Sequence, residues 1–157
     1  MIVNKKELYE TVDELMSAEG YVRKKETYYK HNDQTITIFV LGKSEFSGKY
    51  ETMLGCFYKE LLNEDTPYPK SHKRHLHWGP DDLADKDMVN NAFNLDHVGF
   101  NSNEREKQIE GIINDYVLPF LKGIETAEGI HNTIKKYPLL IHTTRLDLRN
   151  KLGLKEE

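Results

Sequence analysis

The sequence predicts an α+β fold: an antiparallel meander sheet of three to five strands packed by an N-terminal helix and a group of C-terminal helices. Three observations predict it. A capped amphipathic helix opens the chain; β-branched and aromatic residues dominate from about residue 21 to residue 58; and helical periodicity returns after Pro80.

The first helix is signalled by Asn4 and Glu7, spaced as in a capping box, where the Asn side chain accepts from an early helical N–H. Leu8, Val12, Leu15 and Met16 follow on one helical stripe, and Gly20 supplies the left-handed stop. Residues 21–30 then form one arm of a hairpin and Thr35 to Leu41 the other, with the polar group His31-Asn32-Asp33-Gln34 as the turn. Ile36, Ile38 and Val40 share one face of the second arm and are expected to meet the core. Thr35, Thr37 and Phe39 share the other, expected to be partly wet.

A third strand is expected over residues 49–58, after a connection rich in Ser, Lys and Gly. Residues 63–80 are polar, contain Pro67, Pro69 and Pro80, and read as a long connection with a short strand around His75 to Trp78. Asp81, Asp82 and Asp85 then precede Met88, Val89 and Phe93, which predicts a modest helix with acid in its first turn. Asn101 and Glu104 repeat the N-terminal spacing before Ile109, Ile112, Ile113, Tyr116, Val117 and Phe120, a longer helix. Pro119 removes one hydrogen bond, so this helix should kink or stop near Leu118, with Gly123 ending any continuation. A shorter helix follows from Thr126 to Pro138, burying Ile130, Ile134 and Tyr137. Leu139 to Ile141 reads equally as strand or coil, and Thr144 with Asp147 suggests a closing helix ending at Gly153.

At 157 residues, with no repeat or composition break, the chain 1–157 is expected to form a single domain. Its formal net charge of -4 gives no global basic excess for binding phosphate backbones, so a dedicated nucleic-acid binder is disfavoured. Cys56 is the single cysteine, which excludes an intrachain disulfide and a Cys-rich zinc module and fits a reducing cytoplasm. Its place in a β-rich run makes it a small buried hydrophobe rather than a nucleophile. Met1 to Glu7 lead directly into the first helix, and no apolar run matches a signal peptide or membrane span.

The densest set of ligand-type residues is His72, His75 and His77, with Asp81 and Asp82 just beyond. On a strand His75 and His77 point to one face, a spacing that permits zinc or a similar divalent metal with Asp81, whereas Lys70, Lys73 and Arg74 oppose a cation there. The bland reading, loop histidines in a polar setting, is preferred, with no cofactor. The same segment offers an anion or nucleic-acid contact through Lys73, Arg74, Tyr68 and Trp78, extended by Arg23, Lys24, Lys25 and Lys30, but neighbouring acids cancel most of that field. Tyr28 and Tyr29 are adjacent on a strand and so cannot share one face; whichever points outward is an interface candidate. No Gly-x-Ser-x-Gly, phosphate-binding loop, His-Glu-x-x-His or EF-hand spacing is present.

The capped helix ending at Gly20, the run from Gly20 to Lys25 with Tyr28-Tyr29-Lys30, the arm Thr35 to Leu41, and Tyr116 to Leu121 together resemble the bacterial family called domain of unknown function 4304. The central His-rich segment departs from that pattern. The resemblance implies a small α+β bacterial protein and supplies no catalytic residues. Small bacterial immunity proteins offer an analogy for an acidic, motif-poor chain. The sequence therefore leads to a non-enzymatic protein-binding domain, its candidate contacts Tyr28, Tyr29, Lys73, Arg74 and Trp78. The alternatives are a metal-dependent enzyme built on the His72/His75/His77 segment and a nucleic-acid-binding module.

Overall fold

The computed structural model describes residues 2–155; Met1, Glu156 and Glu157 lie outside it. Helix α1, Lys5–Ser17, starts where Asn4 Oδ1 accepts from the Glu7 N–H at 2.9 Å, and it buries Leu8, Val12 and Met16. Gly20, at φ 89°, then turns the chain into the sheet.

The sheet is a five-stranded antiparallel meander in simple sequence order: β1 Val22–Lys24, β2 Thr27–His31, β3 Thr35–Lys43, β4 Tyr50–Tyr58 and β5 Leu76–Trp78. The predicted first arm is thus two short strands. Lys25, left-handed at φ 57°, and Glu26 form the turn between them. Among the described residues, no helix is long and apolar enough to cross a membrane.

The expected faces of β3 are reversed. Thr35, Thr37 and Phe39 lie on the side of the helices: Phe39 joins the main core with Tyr28, Leu54, Cys56 and Leu76. Thr37 Oγ1 and the Tyr21 hydroxyl are 2.8 Å apart, and Thr35 Oγ1 donates to Glu125 O at 2.8 Å. Those bonds let both threonines be fully buried. Ile36 and Ile38 instead join Tyr29 and Phe57 in a smaller cluster on the opposite face, with Val40, Met53 and Leu62 packed against it.

The helices complete the main core. Asp85 caps α2, Lys86–Ala92, by accepting from Met88 N–H at 2.8 Å, whereas Pro80–Asp82 form a separate 3-10 turn. Asn101 caps α3, Ser102–Ile112, and Thr126 caps α5, Ala127–Lys136. Between them the helical run is interrupted just ahead of Pro119, and Gly123 ends its continuation. The turn 113–117 widens to π geometry and helix α4, Leu118–Gly123, carries on. Residues 138–143 are 3-10 turns rather than strand, and α6, Leu146–Leu152, closes the chain. Thr144 does not cap α6; its hydroxyl is buried and donates to Leu140 O at 2.9 Å.

One charged residue inside this core is fully accounted for. Arg105, 4% exposed, donates to the carbonyls of Asn91, Ala92, Asn94 and His97 at 2.8–2.9 Å, so it closes the end of α2 and fixes the loop behind it. That loop in turn holds the β3–β4 hairpin tip, where Asp96 Oδ2 accepts from Gly48 N–H at 2.7 Å.

Candidate functional site

The second face of the sheet is covered by the segment 59–75, which carries Tyr68, Lys70, His72, Lys73, Arg74 and His75. Its path is fixed at both ends. At the start, a 3-10 turn at Lys59–Leu61 leads to Leu62, which packs against the small cluster. At the end, β5 pairs with β4 in the register Leu54↔Trp78, Gly55↔His77 and Cys56↔Leu76. A Cβ on Gly55 would lie 2.3 Å from Leu76 O, so this close approach of the two strands requires glycine.

Tyr28 and Tyr29 do point to opposite faces, but neither is displayed: they are 1% and 6% exposed. Tyr28 stands on the helix side, its hydroxyl donating at 2.6 Å to Asp13 Oδ1, which also accepts from Arg23 at 2.7 Å. Burial, then that bond to Asp13, raises its pKa well above the usual phenol range. Tyr29 stands on the loop side and donates to Pro69 O at 2.7 Å. The loop therefore occupies the position expected for a partner, and Tyr29 is one of its anchors.

His75 is the other anchor. It is 3% exposed; its N–H donates to Cys56 O at 3.0 Å, its Nδ1 accepts from Tyr58 N–H at 2.7 Å, and its carbonyl accepts from Arg145 N–H at 2.7 Å. Accepting at Nδ1 requires the neutral ring. Burial lowers the pKa accordingly, with Asp147 opposing and Arg145 reinforcing the shift. His77, half-buried, is lowered by burial and then by the charge of Arg74. Neutral imidazoles suit a metal, yet one nitrogen of His75 is committed to the backbone. His75, His77 and Asp81 do not converge, and among the described residues no three His, Cys, Asp or Glu side chains are grouped to hold an ion.

The remaining candidates separate. Trp78 turns to the helix side beside Tyr137, ring centroids 6.3 Å apart, and packs against the main core. Arg74 is half-buried, donates to Ser71 O at 3.2 Å, and has its pKa lowered by burial. Lys73 is exposed and pairs with Glu64, whose carboxyl is held below its usual range by that ammonium. Cys56 is buried, and desolvation pushes its thiol up to about 12, which leaves it inert.

What the loop displays is Tyr68. Its ring lies edge-on to Tyr29 at 5.2 Å, beneath the Lys24 ammonium at 4.8 Å, and beside the His31 ring at 6.3 Å. His31 Nε2 is 2.6 Å from Pro67 O, and Lys70, His72 and Lys73 are exposed along the same segment. Arg145, from the start of α6, braces it by donating to Lys73 O at 3.1 Å. Strand alternation favours Tyr28 and Tyr29 over Tyr68, which sits in the irregular segment. The flanking Pro67 and Pro69, which stiffen the backbone on both sides of one aromatic, were the available signal.

The surface thus has Tyr68 at its centre, Lys24 and His31 against it, and the Lys73–Glu64 pair farther along the segment. No curated protein and no solved structure matches the chain. A family model described as "Domain of unknown function (DUF4304)" matches residues 12–123, which run from within α1 through the whole sheet to the end of α4. On that match, which covers most of the sequence and both supports of the Tyr68 loop, the chain belongs to the DUF4304 family.

Proposed function

We propose that the protein is a non-enzymatic, cofactor-free binding domain of the bacterial cytoplasm, immunity-like in character, that engages a protein partner through the Tyr68 loop. The observation that carries this reading is Tyr68 itself. It is 36% exposed, its backbone is fixed by two prolines and two buried anchors, Lys24 and His31 lie against its ring, and Lys70 is exposed two residues on. A preorganised tyrosine gives contact area and a hydroxyl at small entropic cost. The Lys24 ammonium over the Tyr68 ring favours a partner that brings an acidic group to that ring.

The test is quantitative capture by the immobilised full chain and by the variants Tyr68→Ala, Lys70→Glu and the control Lys107→Glu. The expected result is one partner retained by the parent and the control and weakened about tenfold or more by either loop variant. No partner retained at low salt, or retention indifferent to the loop variants, overturns the reading. A salt-sensitive shift of single-stranded nucleic acid, abolished by Lys70→Glu, would replace it with the nucleic-acid alternative. Stoichiometric metal in untagged protein, lost in His77→Ala, would replace it with the metal-enzyme alternative.

A further inference from the structure

We infer that a hollow between α5, the 3-10 turns at 138–143 and the chain beyond α6 binds a small amphipathic carboxylate, an apolar tail carrying one anionic head. This site is separate from the Tyr68 loop and does not depend on that reading. All its lining lies between residues 131 and 155, beyond the part of the chain that the family model covers.

The hollow has a volume of about 650 Å³, within the range of sites for small organic ligands. Ile134, Pro138, Ile141 and Leu154 make its apolar wall, and Leu139 adds to it while remaining 67% exposed. The two residues that follow it, Leu140 and Ile141, are buried, so Leu139 is an apolar side chain that the fold leaves uncovered beside a concavity.

The polar lining is all of one kind. His131, Lys135, His142 and Lys155 contribute, and among the described residues no Asp or Glu lines the hollow. A basic residue at a helix C-terminus compensates the helix dipole, which accounts for Lys135 in the last turn of α5. It does not account for His131 one turn earlier. Lys155 is brought in by a separate device: Gly153, left-handed at φ 65°, reverses the chain, and Leu154 N–H donates to Arg149 O at 2.9 Å. Leu154 and Lys155 thereby form a wall of the hollow. No arginine fork lines it, which favours a single carboxylate over a phosphate dianion as the head group. Apolar walls beside the ammonium groups of Lys135 and Lys155 match the two ends of such a molecule.

The probe is decanoate, kept below its aggregation concentration and titrated calorimetrically into the full chain, with decanol and acetate as comparisons. Binding of decanoate, with decanol and acetate each at least about tenfold weaker, is expected. Lys135→Glu and Leu139→Asp, both at exposed positions, should each weaken decanoate about tenfold or more, while Lys107→Glu leaves it unchanged. Unfolding midpoints equal to the parent's establish that these variants fold. Absence of decanoate binding up to about 1 mM overturns the inference, as does equal binding of decanol or indifference to both lining substitutions.

Discussion

A buried imidazole that accepts a backbone N–H at Nδ1 has to stay neutral, and His75 is enclosed so that it does. Protonation would take the acceptor away from Tyr58 N–H and place a charge near Arg145, with only Asp147 favouring it. The folded-state pKa therefore lies below the ordinary imidazole value of 6.5, and the unfolded chain takes up the proton first as pH falls. The His75 contribution is fully present above pH 6.5 and is lost as pH drops from there toward the folded-state value. His77 shifts in the same direction and adds to the same slope. Urea titrations at pH 7.5 and pH 5.5 should show lower stability at the acidic value. His75→Ala should cost about 2–4 kcal/mol at pH 7.5, from an unpaired buried N–H plus a cavity, and should flatten the pH dependence. Unchanged stability in that variant would mean that the ring does not anchor the segment. Sequence reasoning offered His75 as a ligand because His75 and His77 alternate correctly; the backbone donor that claims its nitrogen comes from a strand 17 residues earlier, beyond the reach of local spacing.

Elements were legible where their signals are local. Asn4, Asn101 and Thr126 each cap the helix that follows them, as their spacing implies, because a cap is made within three residues. The faces of β3 were not legible, because alternation identifies the core face only when the other face is wet, and here both are covered. Thr35 and Thr37 read as solvent-facing, but their hydroxyls are satisfied by Glu125 O and Tyr21, from elements distant in sequence. The covering itself rests on β5, a strand of three residues whose approach to β4 is set by Gly55. Gly55→Ala should force the strands apart at a cost of about 1–3 kcal/mol, comparable to other cases of overpacking. Amide exchange should then speed up at His75 and His77 more than at β2 and β3. Retained protection along β5 would show that the approach tolerates a methyl group.

At the scale of the molecule, the sheet and the last helices depend on each other, although the family match stops at Gly123. Ile130, Leu140 and Leu148, all beyond that point, are fully buried in the main core. At roughly 1.5–3 kcal/mol for each such side chain, their removal takes away about as much as the whole net stability of an ordinary domain. Polar bonds point the same way. Thr35 Oγ1 donates to Glu125 O, Gln34 Oε1 accepts from Ala127 N–H, Thr143 Oγ1 donates to His77 O, and Arg145 N–H donates to the carbonyl of His75. A chain cut after Gly123 would take away the acceptor of the Thr35 hydroxyl and the Thr143 donor to His77 O, and open the Leu76 side of β5 to water. Such a chain should lose its cooperative urea transition and its near-ultraviolet circular dichroism while keeping some helix. A sharp two-state transition in the shortened chain would mean instead that the matched region folds alone, with α5 and α6 serving only as the frame of the basic hollow.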